Sequence, residues 1–169
     1  MRQIFETAMA DDQVPLPEQY FITPLTRCLQ TAELTFHDLA TAEQTSFRLQ
    51  VSESLREVYG VHYCDRRSSR ASLESAFPFA VLDADVSAQD DLSKPDERET
   101  LDAATERLQG WLEQRFSAEE STISSITTHS GAIRALYRAT GHPDVWVARG
   151  SLTPLLVKAT VRGAHGQEL

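Results

Sequence analysis

The sequence predicts an α/β fold in which helices pack on a layered sheet, and three observations carry that prediction. Short β-favouring apolar runs alternate with longer stretches of helical spacing. Proline and glycine punctuate the changes, at Pro24, Pro78, Gly141 and Pro143. Two of the strand-like runs pass directly into a helix start, at Thr23-Pro24-Leu25-Thr26 and at Thr128-His129-Ser130.

Residues 2–10 set Ile4, Phe5, Ala8 and Met9 on one face, the last turns of a helix that Pro15 and Pro17 stop. Tyr20-Phe21-Ile22-Thr23 is a β-favouring run closed by Pro24, which suits a buried strand feeding a loop, with Thr26 expected to cap the next helix. That helix is expected over 27–40, with Leu29, Ala32, Leu34 and Phe36 spaced along it, and a strand over 46–51. Residues 52–82 read as a long irregular loop holding Arg56, Arg66, Arg67 and Arg70 among Tyr59, Tyr63, Phe77 and Phe79.

The acidic stretch 87–96 reads as a solvated loop. Residues 97–116 read as the clearest long helix, with Leu101, Ala104, Leu108, Leu112 and Phe116 along one side. A strand is expected over 123–128, then a helix over 130–139 that Gly141 and Pro143 end. Residues 155–159 read as a closing strand. With 169 residues and no internal repeat, one domain over 1–169 is expected.

Bulk properties narrow the partners. A net charge of −9 disfavours nucleic acid and anionic membranes, because both repel an acidic protein at long range, but it leaves small anions open. No run approaches the roughly 20 apolar residues that cross a bilayer, and acid at Glu6 comes too early for a secretory leader, so a cytoplasmic location is expected. Cys28 and Cys64 are too few for a disulfide framework and read as free thiols. The five histidines are scattered without metal-ligand spacing, so no metal or other cofactor is expected.

Three runs carry candidate chemistry. His129 follows a strand-like run and precedes a helix, where unpaired helix N–H groups favour an anion. Arg27 repeats that placement, and a guanidinium there can hold phosphate oxygens bidentately. In Leu55-Arg56-Glu57, the Glu57 carboxyl group stands among cations on a loop, either to supply a proton to a leaving oxygen or to neutralise the arginines around it. Two rivals have weaker support. Cys64 through Arg70 has the C-x5-R spacing of cysteine phosphatases but no interior glycine to fold amides about an anion. Ser130 beside His129 lacks a G-x-S-x-G elbow and an acid partner.

The runs T-P-L-T-R-C-L-Q-T-A, L-R-E with C-D-R-R, and T-H-S-G-A-I-R-A with G-H-P together resemble the fungal phosphoglycerate-mutase-like branch of the histidine phosphatase superfamily, in order, over residues 23–143. The resemblance implies a three-layer α/β/α sandwich with a mostly parallel sheet and a small phosphorylated substrate. It implies Arg27 as a phosphate ligand, Glu57 as proton donor and His129 as the second pocket histidine that stabilises the transferring phosphoryl. Arg66 and Arg67 are implied as substrate-binding or as partners of Asp65.

The chain also departs from the family. No R-H-G run, which in the family carries the nucleophilic histidine and another arginine, occurs in these residues, and Arg162-Gly163-Ala164-His165-Gly166 is only superficially like it. The resemblance therefore implies a partial domain, N-terminally truncated and without the family's first strand. It implies phosphate monoester hydrolysis in intact relatives and weak or absent turnover here, the alternative being a catalytically dead phosphate-binding or interaction module.

Overall fold

The computed structural model describes residues 2–10, 14–43, 47–118 and 121–160. Among them, β1 (Gln19–Ile22), β2 (Leu49–Val51), β3 (Ala80–Leu82) and β4 (Ser124–Thr127) form a parallel sheet in the order β3-β2-β1-β4. The α-helices are α1 (Arg2–Ala10), α2 (Thr26–Ala42), α3 (Arg70–Ala76), α4 (Leu101–Ala118) and α5 (Ser130–Ala139).

Strand alternation divides the helices between two faces, because successive side chains point to opposite sides of a sheet. Tyr20 and Ile22 of β1 join Leu49, Val51 and Leu82 in a core with Phe5 of α1, Leu29, Ala32 and Phe36 of α2, and Leu73 of α3. Phe21 points the other way and packs with Ala104, Leu108 and Trp111 of α4 and Ala132, Ala135 and Leu136 of α5. The result is the expected three-layer α/β/α sandwich. Aromatic pairs lie in both cores: Phe5 meets Phe36 edge-on at 5.0 Å and Phe21 meets Trp111 at 5.2 Å. Each such pair adds about 0.5–1.5 kcal/mol beyond its buried area.

Several elements differ from the sequence-based expectation. α2 begins at Thr26, so Leu25 is the capping position, in extended conformation and without a side-chain bond. Leu34 of α2 is 74% exposed, while Cys28 is buried. The 52–82 loop contains two 3₁₀ turns (Glu53–Leu55 and Tyr63–Asp65), α3 capped by the Ser69 hydroxyl accepting from the Ser72 N–H, and β3. β3 is three residues long, too short for periodicity to register.

The long helix starts at Leu101 rather than 97, because Glu99 donates its N–H to the Tyr59 carbonyl and Thr100 Oγ1 accepts from the Ala103 N–H. Trp111 of α4 is core, whereas Phe116 is largely exposed. Residues 155–159 are not a strand: they form no ladder with β1–β4, and Leu156 is fully exposed. A strand needs a partner, which alternation in sequence cannot supply. Ser46, the Glu119-Glu120 pair and 162–166 with His165 lie outside the described residues.

Candidate functional site

β1 and β4 are neighbours in parallel register, Ile22 opposite Thr127, so the loops that follow them leave from the same edge of the sheet. After β1 the chain turns to α2 on one face; after β4 it turns to α5 on the other. That divergence at the carboxyl ends of adjacent strands is where open α/β sheets bind ligands. β2 ends at the same edge, and its Ser52 N–H donates to the Ile22 carbonyl before the chain runs on to Glu57. The three candidate runs therefore converge.

The convergence is a side-chain contact at Cys28 and His129. The buried Cys28 thiol lies 3.5 Å from His129 Nε2 and 3.7 Å from Nδ1. Burial, and then the positive charge of Arg27, hold the His129 pKa down to about 4, with the Asp65 carboxylate opposing. The imidazole is therefore neutral at pH 7. Burial also pushes the Cys28 thiol up to about 12, against the pull of Arg27 and with a small push from Glu57, so this pair is thiol and imidazole rather than thiolate and imidazolium.

Arg27 is half exposed. Its Nη1 donates to the Cys64 carbonyl at 2.6 Å, and Nη2 lies 3.7 Å from Asp65 Oδ1. The nearly buried Asp65 also meets Arg98 Nη1 at 3.5 Å, so one carboxylate bridges two guanidinium groups. The loop carrying it is held from the other side as well: Val61 N–H donates to the Lys94 carbonyl, and Arg98 Nη1 donates to the Gly60 carbonyl.

Among the described residues, Glu57 forms no ion pair with an arginine. Its Oε1 accepts from the Val58 N–H at 2.9 Å and the Ala132 N–H at 3.1 Å, and its Oε2 from the Gly131 N–H at 3.2 Å. Two amides at the α5 N-terminus, expected from the sequence to be free for an external anion, are thus occupied by a carboxylate of the chain itself, which the helix dipole also favours.

The arginines of the 56–70 patch mostly face inward. Arg56 is fully buried, donating through Nη1 to Glu53 at 2.9 Å and Asp90 at 2.5 Å and through Nη2 to the Asp65 carbonyl. Arg67, expected at the substrate, is also buried. It donates to Glu53 at 2.8 Å, to Ser87 Oγ at 2.9 Å and to the carbonyls of Ser68, Ser87 and Gln89, so its guanidinium braces the loop. Arg66 stays exposed, over the Tyr63 ring at 5.3 Å and bonded to Ser93 Oγ at 2.8 Å. Asp65 pairs with neither Arg66 nor Arg67.

The C-x5-R alternative does not form a cradle. Cys64 is exposed beside Asp65, while Arg70 donates to the carbonyls of Leu82, Asp83 and Val86 at the end of β3. Among the described residues, no group of three or more histidine, cysteine or acidic side chains is arranged to hold a metal. A recess of about 370 Å³ lined by Glu18, Gln19, Arg48, Gln50 and Val81 opens toward the amino ends of β1 and β2, away from His129. Sequence reasoning passes over Cys28 and Arg98 and names Asp65 only as a partner of Arg66 and Arg67. Cys28 is within its reach, since it follows Arg27 at a helix start; nothing in the sequence joins Asp65 to Arg27 or Arg98.

The chain is similar to known proteins over most of its length. Residues 3–150 match the model of the histidine phosphatase superfamily, branch 1. A probable phosphoglycerate mutase of Arthroderma benhamiae is 40% identical over 87% of this chain, and phosphomutase-like protein 3 of Candida albicans is 27% identical over 85%. A probable phosphoglycerate mutase of Saccharomyces cerevisiae is 29% identical over 92%. The chain spans 44% of the length of each of the first two and 59% of the third. No helix among the described residues is long and apolar enough to cross a membrane. The family model covers most of the chain, and the relatives span the same stretch: the chain belongs to the histidine phosphatase superfamily.

Proposed function

We propose that this chain binds the phosphate of a small phosphate monoester at the carboxyl edge of its sheet. Arg27 supplies a guanidinium, His129 a neutral imidazole able to donate one hydrogen bond, and Glu57 the carboxyl group that exchanges a proton with the leaving oxygen. The family resemblance implies hydrolysis of such an ester through a phosphohistidine. Here turnover is weak or absent, because these 169 residues contain no R-H-G run to supply the nucleophile. Arg66, exposed on the neighbouring loop, is left to contact the rest of the substrate, whereas Arg67 acts as a brace. No metal enters this chemistry, and the protein is cytoplasmic.

The observation that carries the reading is the 3.5 Å contact of Cys28 with His129, which sets the residue after Arg27 against the imidazole. Calorimetric titration with inorganic phosphate tests it. The wild-type chain binds, and Arg27→Ala weakens binding about tenfold or more, the loss expected for charge-assisted hydrogen bonds to an oxyanion. Brisk hydrolysis of p-nitrophenyl phosphate that survives His129→Ala would refute this assignment.

A further inference from the structure

Gly131, the second residue of α5, is packed against Glu57 more closely than any other residue type would allow. A Cβ at this position would stand 2.1 Å from Glu57 Oε1, 3.0 Å from Glu57 Cδ and 3.0 Å from Val58 Cγ2. The first of these lies far inside van der Waals separation, so a side chain at 131 must move the carboxyl group. The backbone gives no other reason for glycine. The residues with positive φ among those described are Gly60, Val61, Gly141 and Gly150, so Gly131 is not in the left-handed region. In a helix, alanine would be the more stabilising residue.

What the vacant space provides is a seat. The Glu57 carboxyl group lies in it with both oxygens on backbone amides, at the start of the helix that His129 precedes. We propose that Gly131 is a positioning residue for Glu57: its missing side chain lets the carboxyl group reach the α5 N-terminus inside the phosphate pocket. The inference rests on the phosphate-site reading above and adds the element that fixes the proton-exchanging group in that site.

The test is a double-mutant cycle on the full chain, comparing wild type, Gly131→Ala, Glu57→Ala and the double variant by melting temperature and by calorimetric titration with sodium tungstate, a tetrahedral oxyanion. Gly131→Ala displaces a negative charge from beside the anion, so tungstate binds more tightly, by about tenfold for one charge acting through partly solvated protein. Glu57→Ala does the same, and the double variant gains nothing more. General damage to the fold would weaken binding instead.

In melting, Gly131→Ala lowers Tm when Glu57 is present and lowers it less in the Glu57→Ala background, where the methyl group meets only Val58 Cγ2 and the helix gains alanine. Equal Tm shifts in both backgrounds, or unchanged tungstate affinity in Gly131→Ala, overturn the positioning role. Absence of tungstate binding by wild type overturns the phosphate reading and the functional half of this inference with it, while the melting cycle still decides whether Gly131 seats Glu57.

Discussion

Cys28 Sγ and His129 Nε2 lie 3.5 Å apart although 101 residues separate them in the chain. The contact joins the first turn of α2, on one face of the sheet, to the residue that caps α5 on the other. It exists because β1 and β4 are parallel neighbours whose following helices diverge. Parallel pairing puts both strand exits at one edge, the position at which open α/β sheets characteristically bind ligands.

The half-buried, neutral His129 makes stability depend on pH. An unfolded histidine takes up its proton near 6.5, whereas His129 in the fold does so at about 4. Between those values the unfolded state holds more protons, so this contribution is complete above pH 6.5 and is lost as pH falls toward 4, by about 3 kcal/mol in all. Urea denaturation at pH 7 and at pH 4.5 measures it. The wild-type chain should lose more stability on acidification than His129→Leu; parallel losses would show that the imidazole is not held neutral by burial.

The two thiols should react very differently. Cys64 is exposed, whereas Cys28 is buried with its pKa pushed up to about 12, so the reactive thiolate is both scarce and shielded there. Iodoacetamide at pH 8 should label Cys64 and spare Cys28 until denaturant is added. Mass spectrometry of the Cys64→Ser variant gives the answer, and rapid labelling under native conditions would contradict a closed Cys28–His129 contact.

Arg56 holds two acids in a dry site, so Arg56→Ala leaves Glu53 and Asp90 without a shared cation. Breaking a buried ion pair from one side costs about 3–5 kcal/mol, much of it the desolvation of the remaining charge. Urea denaturation should show a loss of this size. A loss under about 1 kcal/mol, typical of a surface pair, would mean that water reaches the network.

Gly60 is needed on two counts. Its φ is +92°, and a Cβ there would come 1.8 Å from the Glu97 carbonyl oxygen. Gly60→Ala should cost about 1–3 kcal/mol from backbone strain, and more if Glu97 cannot shift. Because the same loop carries the Cys64 carbonyl that Arg27 grips, inorganic phosphate binding should weaken as well. Unchanged phosphate affinity alongside lowered stability would separate the loop from the site.

Local physics made much of this fold legible. Elements with clear periodicity or caps, such as α5 and the helix after Pro24, fall within two residues of their expected bounds, because helix spacing and Gly141 act over short range. α3 and β3 were hidden inside a basic stretch that reads as loop. Their stability comes from Ser69, Leu73 and the Arg70 bonds to carbonyls at the end of β3, none of which leaves a periodic mark. The strand expected at 155–159 shows the converse, an apolar run that finds no ladder.

For the site, the sequence by itself determined which residue types stand at strand exits: Arg27, Glu57 and His129, with the resemblance that joins them. Only the tertiary structure decided their company. It seated Glu57 on the α5 amides instead of among arginines, turned Arg67 inward to Glu53, and bridged Arg27 and Arg98 with Asp65. The physical reason is range. Capping and periodicity act within a few residues, whereas pairing of charges and exclusion of water depend on strand order and burial, which bring together groups distant in the chain.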